Sequence, residues 1–249
     1  MLVLAVHGSA VPAAAATIRR LITAIEAMSG VRAVVGHLGV PPAVAGGVQV
    51  PSLAEVVREH PRAVVVPLLL GDGYHRRVDI PAVLEGTGCV LTEGLGGEHA
   101  VALAVRSRLR DAERRRGPHT RADAVVLAGA GSSRPGGTAG TAACAARLAE
   151  LLEHDGGPDP VPVVPAYLTS AGPTVPEALA ALRAAGYRRI AVAAHLLAPG
   201  RFTHALAGSG AWAVSEPLAD HPHVARLVLE RYEASARGTG VLRAARLAR

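Results

Sequence analysis

The sequence repeats itself once. Val3-Leu4-Ala5-Val6-His7-Gly8-Ser9 has a counterpart in Val126-Leu127-Ala128-Gly129-Ala130-Gly131-Ser132, 123 residues downstream. Glu93-Gly94-Leu95 and Glu216-Pro217-Leu218 stand 123 residues apart, as do Val101-Ala102 and Val224-Ala225. Pro51-Ser52-Leu53-Ala54-Glu55 pairs with Pro173-Thr174-Val175-Pro176-Glu177 at a spacing of 122. Ordered matches at one period mark a duplication, and a duplicated chain must fold as two copies of one plan. The expected domains are residues 1–117 and 122–238, with Gly117 to Arg121 as the linker.

Each copy alternates short apolar runs with helical periodicity. In the first, Leu2 to Val6 reads as a strand, and Pro12 to Met28 as a helix with Ile18, Leu21, Ile22 and Ile25 on one face. Gly30 ends that helix. Val31 to Leu38 is a second strand. Ser52 and Glu55 form a capping box for a helix through Glu59. Ala63 to Leu70 is apolar almost throughout, as a strand covered on both faces must be. A Gly-rich loop, a short helix, a strand at Cys89 to Leu91 and a helix from Glu98 to Arg115 complete the unit. The second copy gives strands at Ala124 to Leu127, Val161 to Ala166 and Ile190 to Leu196. Its helices are Thr141 to Leu152, Val175 to Ala185 and Pro222 to Ala236, with a loosely held tail after Gly238. This alternation predicts an α/β protein made of two tandem, doubly wound open parallel sheets of flavodoxin-like type, related by duplication.

Composition removes several classes of function. Aromatic residues make up 2% of the chain, too few for a stacking surface on single-stranded nucleic acid. The two cysteines, Cys89 and Cys144, are far apart and form no CxxC, which argues against a disulfide framework, a thiolate zinc site or an iron–sulfur cluster. All 26 basic residues are arginine and the net charge is +6. GC-rich coding accounts for much of this, and arginine forks also suit carboxylates and phosphates. The one dense basic run, Arg114-Arg115-Arg116, closes a helix, where cations suit the dipole. No apolar stretch reaches the length of a membrane span, and the N-terminus lacks the basic flank of a signal peptide. A cytoplasmic protein without nucleic-acid or membrane partners is expected.

Ligands of open α/β sheets bind beyond the carboxyl ends of the strands. His7 directly follows the first strand. His75 follows the third, after Gly71-Asp72-Gly73-Tyr74. Both therefore reach one rim of the first copy. Two imidazoles there suit an open divalent metal site with coordination positions left for a substrate, though a pair of ordinary rim histidines has the same pattern. His37 lies within a strand and reads as structural. His60, His99, His119, His154, His221 and His223 fall at helix ends or in loops and read as solvated. His195 and His204 lie near the corresponding rim of the second copy.

The two motifs, Val6-His7-Gly8-Ser9 and Pro67-Leu68-Leu69-Leu70-Gly71-Asp72-Gly73-Tyr74-His75-Arg76-Arg77-Val78-Asp79-Ile80-Pro81, resemble those of the sirohydrochlorin chelatases of the CbiX/SirB type. These belong to the class II tetrapyrrole chelatases. Gly129 to Pro135 and Ala194 to Phe202 look like the degenerate second repeat of the fused, two-domain members, so the resemblance spans essentially the whole chain. It implies that His7 and His75 are metal ligands and proton acceptors. At the matching positions the second copy has Ala130 and Phe202, so one half is active and the other has lost its imidazoles. His195 and His204 match neither position. Ala10 departs from the polar residue frequent after HGS.

The resemblance implies insertion of a divalent metal, Fe2+ or Co2+, into sirohydrochlorin, with no organic cofactor. Gly8, Ser9, Tyr74, Arg76, Arg134 and Arg201 are candidate substrate contacts, with Arg77 a further arginine at the rim. Imidazole ligands favour cobalt over ferrous iron by intrinsic affinity, so supply decides in the cell. The chain lacks the His-rich tract of the longer cobalt-associated relatives, which tilts the expectation toward iron and siroheme. Other readings are a tetrapyrrole or metal carrier without turnover, and a phosphate-binding fold using Gly129 to Ser133 as an anion loop. The latter segment lacks the GK[ST] of a P-loop. Either a monomer or a homodimer is compatible with the sequence.

Overall fold

A computed structural model describes residues 1–8, 11–38, 50–156, 160–169 and 172–247, with side chains to residue 237. The first sheet contains β1 (Leu2–Val6), β2 (Ala33–His37), β3 (Val64–Pro67) and β4 (Val90–Leu91), in the order β2-β1-β3-β4. All its pairings are parallel, with Leu2 opposite both Ala33 and Val64. Its connections carry α1 (Pro12–Ser29), α2 (Leu53–Glu59), a π-helical turn at His75–Asp79 running into α3 (Ile80–Leu84), and then α4 (His99–Arg116).

The second sheet repeats this plan strand for strand. It contains β5 (Ala124–Gly129), β6 (Val163–Tyr167), β7 (Ile190–His195) and β8 (Ala213–Val214), in the order β6-β5-β7-β8 and again all parallel. Its helices are α5 (Ala139–His154), α6 (Val175–Ala184), α7 (Arg201–Ala207) and α8 (Pro222–Leu247). The expected duplication and doubly wound α/β class are both present.

Local chemistry explains the matching elements. The Ser52 hydroxyl accepts the Glu55 N–H while the Glu55 carboxylate accepts the Ser52 N–H, and Thr174 and Glu177 do the same at the start of α6. Each box satisfies donors that a helix start leaves orphaned. Gly30 ends α1 in the left-handed region at φ 68°, its N–H bonded to Glu26 O. All five residues of β1 are buried. Side chains alternate across a strand. Val3 and Ala5 pack with Leu53, Val56, Val57, Val65 and Ile80, on the face covered by α2 and α3. In the second sheet, Val126, Ala128, Val192 and Ala194 join Val175, Leu179, Leu182 and Leu206 in the equivalent core.

The elements differ from expectation in three places. The third strand ends at Pro67, not Leu70. Leu68 N–H still reaches Ala5 O, but Leu69 O is taken by Leu95 N–H and the ladder stops. The second copy carries α7 and β8, short elements that sequence periodicity did not show. The last helix continues past Gly238 and Gly240 to Leu247.

The chain forms two compact units that do not follow the repeat boundaries. One comprises Met1–Leu69, Tyr74–Leu95 and Ala225–Arg249. The other comprises Leu70–Gly73 and Gly96–Val224. The helix that closes the first repeat, α4, therefore packs on α5, β7 and β8, while most of α8 belongs with the first sheet. Within the second unit, Arg108 donates to Asp220 at 2.6 Å. Buried Glu113 of α4 accepts from Arg110 at 2.7 Å and from Ala122 N–H at 2.8 Å, tying down the chain that leads into β5. Within the first unit, Arg231 of α8 reaches Gly94 O at 3.5 Å.

Candidate functional site

The order β2-β1-β3-β4 reverses direction between β1 and β3, and a doubly wound sheet opens a crevice where its winding reverses. His7 leaves the end of β1 and His75 follows the end of β3, so the topology places both at that crevice. Their ring centroids are 4.5 Å apart with planes at 86°, an edge-on arrangement. His7 is exposed and His75 half-buried. Rings this close and open to solvent can share one cation or hand a proton from one to the other. Among the described residues no cluster of three or more His, Cys, Asp or Glu stands ready to hold a metal ion. Two imidazole nitrogens alone could supply only part of a cation's coordination shell.

The surroundings set the details. His75 Nδ1 lies 2.5 Å from Asp79 Oδ2, four residues on in the π-helical turn. Tyr74 is among the few exposed large apolar side chains, its ring centroid 6.4 Å from that of His75. Arg76 pairs with Glu93 and is largely covered, whereas Arg77 is exposed. Gly8 has φ +86°, and a Cβ there would stand 3.3 Å from His37 Nδ1, so the backbone after His7 turns where a side chain is strained. His37, opposite Val6 in the ladder, has a buried Nδ1 without a hydrogen-bond partner among the described residues, and burial lowers its pKa.

Of the expected site residues, His7, Gly8, Tyr74, His75 and Arg76 lie at the rim of the first sheet. Ser9, like Ala10, lies outside the described residues. Arg134 and Arg201 belong to the second unit, both exposed, Arg134 in the loop after β5 and Arg201 at the start of α7 over the Phe202 ring at 5.3 Å. Ala130 and Phe202 occupy the positions corresponding to the histidine pair.

His195 ends β7, at the carboxyl edge of the second sheet, but it is buried there. It is 2% exposed, its Nδ1 lies 3.2 Å from Thr141 Oγ1, and its Nε2 is buried without a partner among the described residues. Gly129 permits this approach, since a Cβ there would stand 2.7 Å from Thr141 Oγ1. Burial pushes the His195 pKa down to about 4, so the ring is neutral. His221 is likewise buried and lowered to about 4 by desolvation and by Arg108, where the sequence suggested a solvated residue. His204 is exposed on α7. His37 lies in β2, as its strand reading expected; the residue beside the pair that sequence reasoning passed over is Asp79, whose spacing of four from His75 was the available signal.

Fold and site together define a tandem open α/β protein with an imidazole pair at the switch point of its first sheet and, among the described residues, no such pair at that of the second. The chain belongs to the CbiX family, whose model matches residues 1–112 and again 124–235. The solved structure of SirB from Bacillus subtilis with Fe3+ is similar over 96% of this chain and 96% of that one, with TM-score 0.72 at 24% identity. That of CbiX, described as the terminal enzyme for biosynthesis of siroheme in denitrifying bacteria, covers 94% and 98%, with TM-score 0.64 at 17% identity. A multi-domain protein from Deinococcus radiodurans with structural similarity to chelatases has TM-score 0.62 at 21% identity, this chain spanning 55% of its length. The sequence matches no curated protein. Among the described residues no helix is long and apolar enough to cross a membrane.

Proposed function

We propose that the protein is a sirohydrochlorin chelatase, inserting a divalent metal into the macrocycle. The observation that carries this reading is the His7–His75 pair, 4.5 Å apart at the switch-point rim of a CbiX-family fold. Insertion joins one divalent cation to the ring nitrogens and releases two pyrrole protons. The cation is a substrate, held by two imidazole nitrogens and otherwise open to exchange its ligands for ring nitrogens. A neutral imidazole that has given up the metal has a lone pair with which to accept a proton. Both roles thus fall to His7 and His75.

Tyr74 offers the macrocycle an exposed apolar face beside His75, and Gly8, which has no side chain, allows a flat ring to come close. Arg76, Arg134 and Arg201 are candidate partners for the peripheral carboxylates, as is Ser9 for a polar contact. Arg76 would exchange its Glu93 partner for a substrate carboxylate. The net charge of +6 favours approach of a polyanion. Iron is the expected metal and siroheme the product, cobalt the competitor. The protein works in the cytoplasm as a monomer or homodimer, without an organic cofactor, nucleic acid or membrane.

The test is the visible spectrum of sirohydrochlorin during anaerobic incubation with the protein and either Fe2+ or Co2+, against His7→Ala and His75→Ala variants. Metal-dependent turnover above the spontaneous rate, lost in both variants, is expected. Stoichiometric binding without acceleration identifies a carrier and refutes the catalytic roles of both histidines.

A further inference from the structure

We infer that Asp79 is a positioning residue for His75, fixing the ring tautomer so that Nδ1 carries the proton and Nε2 the lone pair. This rests on the reading of His75 as a metal and proton ligand. The two atoms in question, His75 Nδ1 and Asp79 Oδ2, are 2.5 Å apart. A carboxylate only accepts, so a hydrogen bond here requires the proton on Nδ1. Neutral imidazole then has a single lone pair, on Nε2, which is the atom left for a cation or a pyrrole proton. A carboxylate behind a ligating imidazole also holds the ring plane and raises the basicity of the distal nitrogen.

The backbone is shaped for this contact. His75–Asp79 form a π-helical turn, in which Ile80 N–H bonds to His75 O five residues back. Pro81 explains the wide turn. It has no N–H to give to Arg77 O, and in an α-helix its ring would collide with that carbonyl. Single π turns recur at functional sites because they rotate side chains out of the regular helical positions. Here the turn sets Asp79 against the inner nitrogen of His75, while the same ring meets His7 edge-on at 4.5 Å. In the second repeat, where Phe202 stands in place of His75, the corresponding segment is the regular helix α7. The widened turn occurs in the copy that carries the imidazole.

Two measurements on the full chain, without tetrapyrrole, test this. The first is the long-range 1H–15N spectrum of the imidazoles, taken about two pH units above the ordinary imidazole value of about 6.5. His75→Ala assigns the His75 signals. The wild type should show a protonated Nδ1 and an unprotonated Nε2, and Asp79→Ala should show a mixture of tautomers. An Nε2-protonated wild type, or a tautomer unchanged in Asp79→Ala, overturns the inference. The wild-type result stands even if a variant fails to fold.

The second measurement is Co2+ binding alone, read from its visible absorption. Asp79→Ala should weaken binding about tenfold to a hundredfold, and Asp79→Glu should restore part of the loss. If His75→Ala abolishes Co2+ binding while Asp79→Ala leaves it unchanged, the positioning role is wrong and the metal site stands. If His75→Ala itself leaves binding unchanged, the metal-site reading is wrong and the positioning role falls with it.

Discussion

Replacing His195 with Leu should flatten the acid limb of the second unit's stability. The folded ring, sealed behind Thr141 and 2% exposed, protonates only near pH 4. In the unfolded chain it protonates at about 6.5. Between these values the unfolded state binds more protons, so stability falls as pH falls. The contribution is complete above the unfolded value and gone below the folded one. A lowering from 6.5 to about 4, at about 1.4 kcal/mol per unit, amounts to about 3–4 kcal/mol of stability lost across that window. His221, also lowered to about 4, contributes in both proteins and cancels in the comparison. Trp212 is the only tryptophan and lies in the same unit, its backbone N–H donating to Ile190 O at 2.9 Å, so its fluorescence in urea reports the relevant transition. Loss of the Thr141 contact shifts the variant by a constant amount at every pH. The variant-minus-wild-type difference should rise by about 1.4 kcal/mol per pH unit as pH drops below 6.5. Parallel curves for the two proteins would refute the reasoning.

Further expectations follow from close packing elsewhere. Gly36→Ala would place a Cβ 2.8 Å from the Cα of Leu53, and backbone cannot swing aside as a side-chain tip does. A loss of about 1–3 kcal/mol in the first unit is expected, measured by urea unfolding followed by circular dichroism; an unchanged midpoint would show that α2 shifts freely on β2. Cys144 is fully buried and its thiol is pushed up to about 12, whereas Cys89 is partly exposed. A maleimide should therefore label Cys89 in the folded protein and Cys144 only as the second unit unfolds, with mass spectrometry reading the two sites. Equal labelling of both under native conditions would contradict the packing of α5.

Much of the fold was legible because its signals are local. The repeat shows in the identity of small segments. The capping boxes show in Ser52 with Glu55 and Thr174 with Glu177, and β1 shows as an uninterrupted apolar run. The meeting of His7 and His75 at one rim was legible because each follows a strand of the same sheet. Long-range features were not. Val224 and Ala225 look like any helical apolar pair, and nothing in their sequence says which sheet they will cover. His195 and His221 are short polar interruptions whose burial depends on what packs over them. Asp79 is four residues from His75, a spacing common on any exposed helix. Its meaning comes from the widened turn, which could be read only by weighing that spacing together with Pro81 two residues on. The missed α7 and β8 are short, seven and two residues, and tertiary contacts rather than periodicity decide such elements.

The trade of helices between the two repeats bears on how the chain can be made and divided. Translation delivers residues 225–235, the end of the second repeat, long after the first sheet has emerged, so the sheet bearing His7 waits for that distant segment. Its contacts are of very long sequence range, which slows closure and leaves apolar surface bare meanwhile. A gene split at Gly117 would yield two polypeptides each holding the other's missing helix. Such fragments are expected to be poorly soluble when made separately and to recover their structure when made together. Duplication of an ancestral unit thus left the two copies unable to part: each keeps its own sheet but depends on its twin's end for closure.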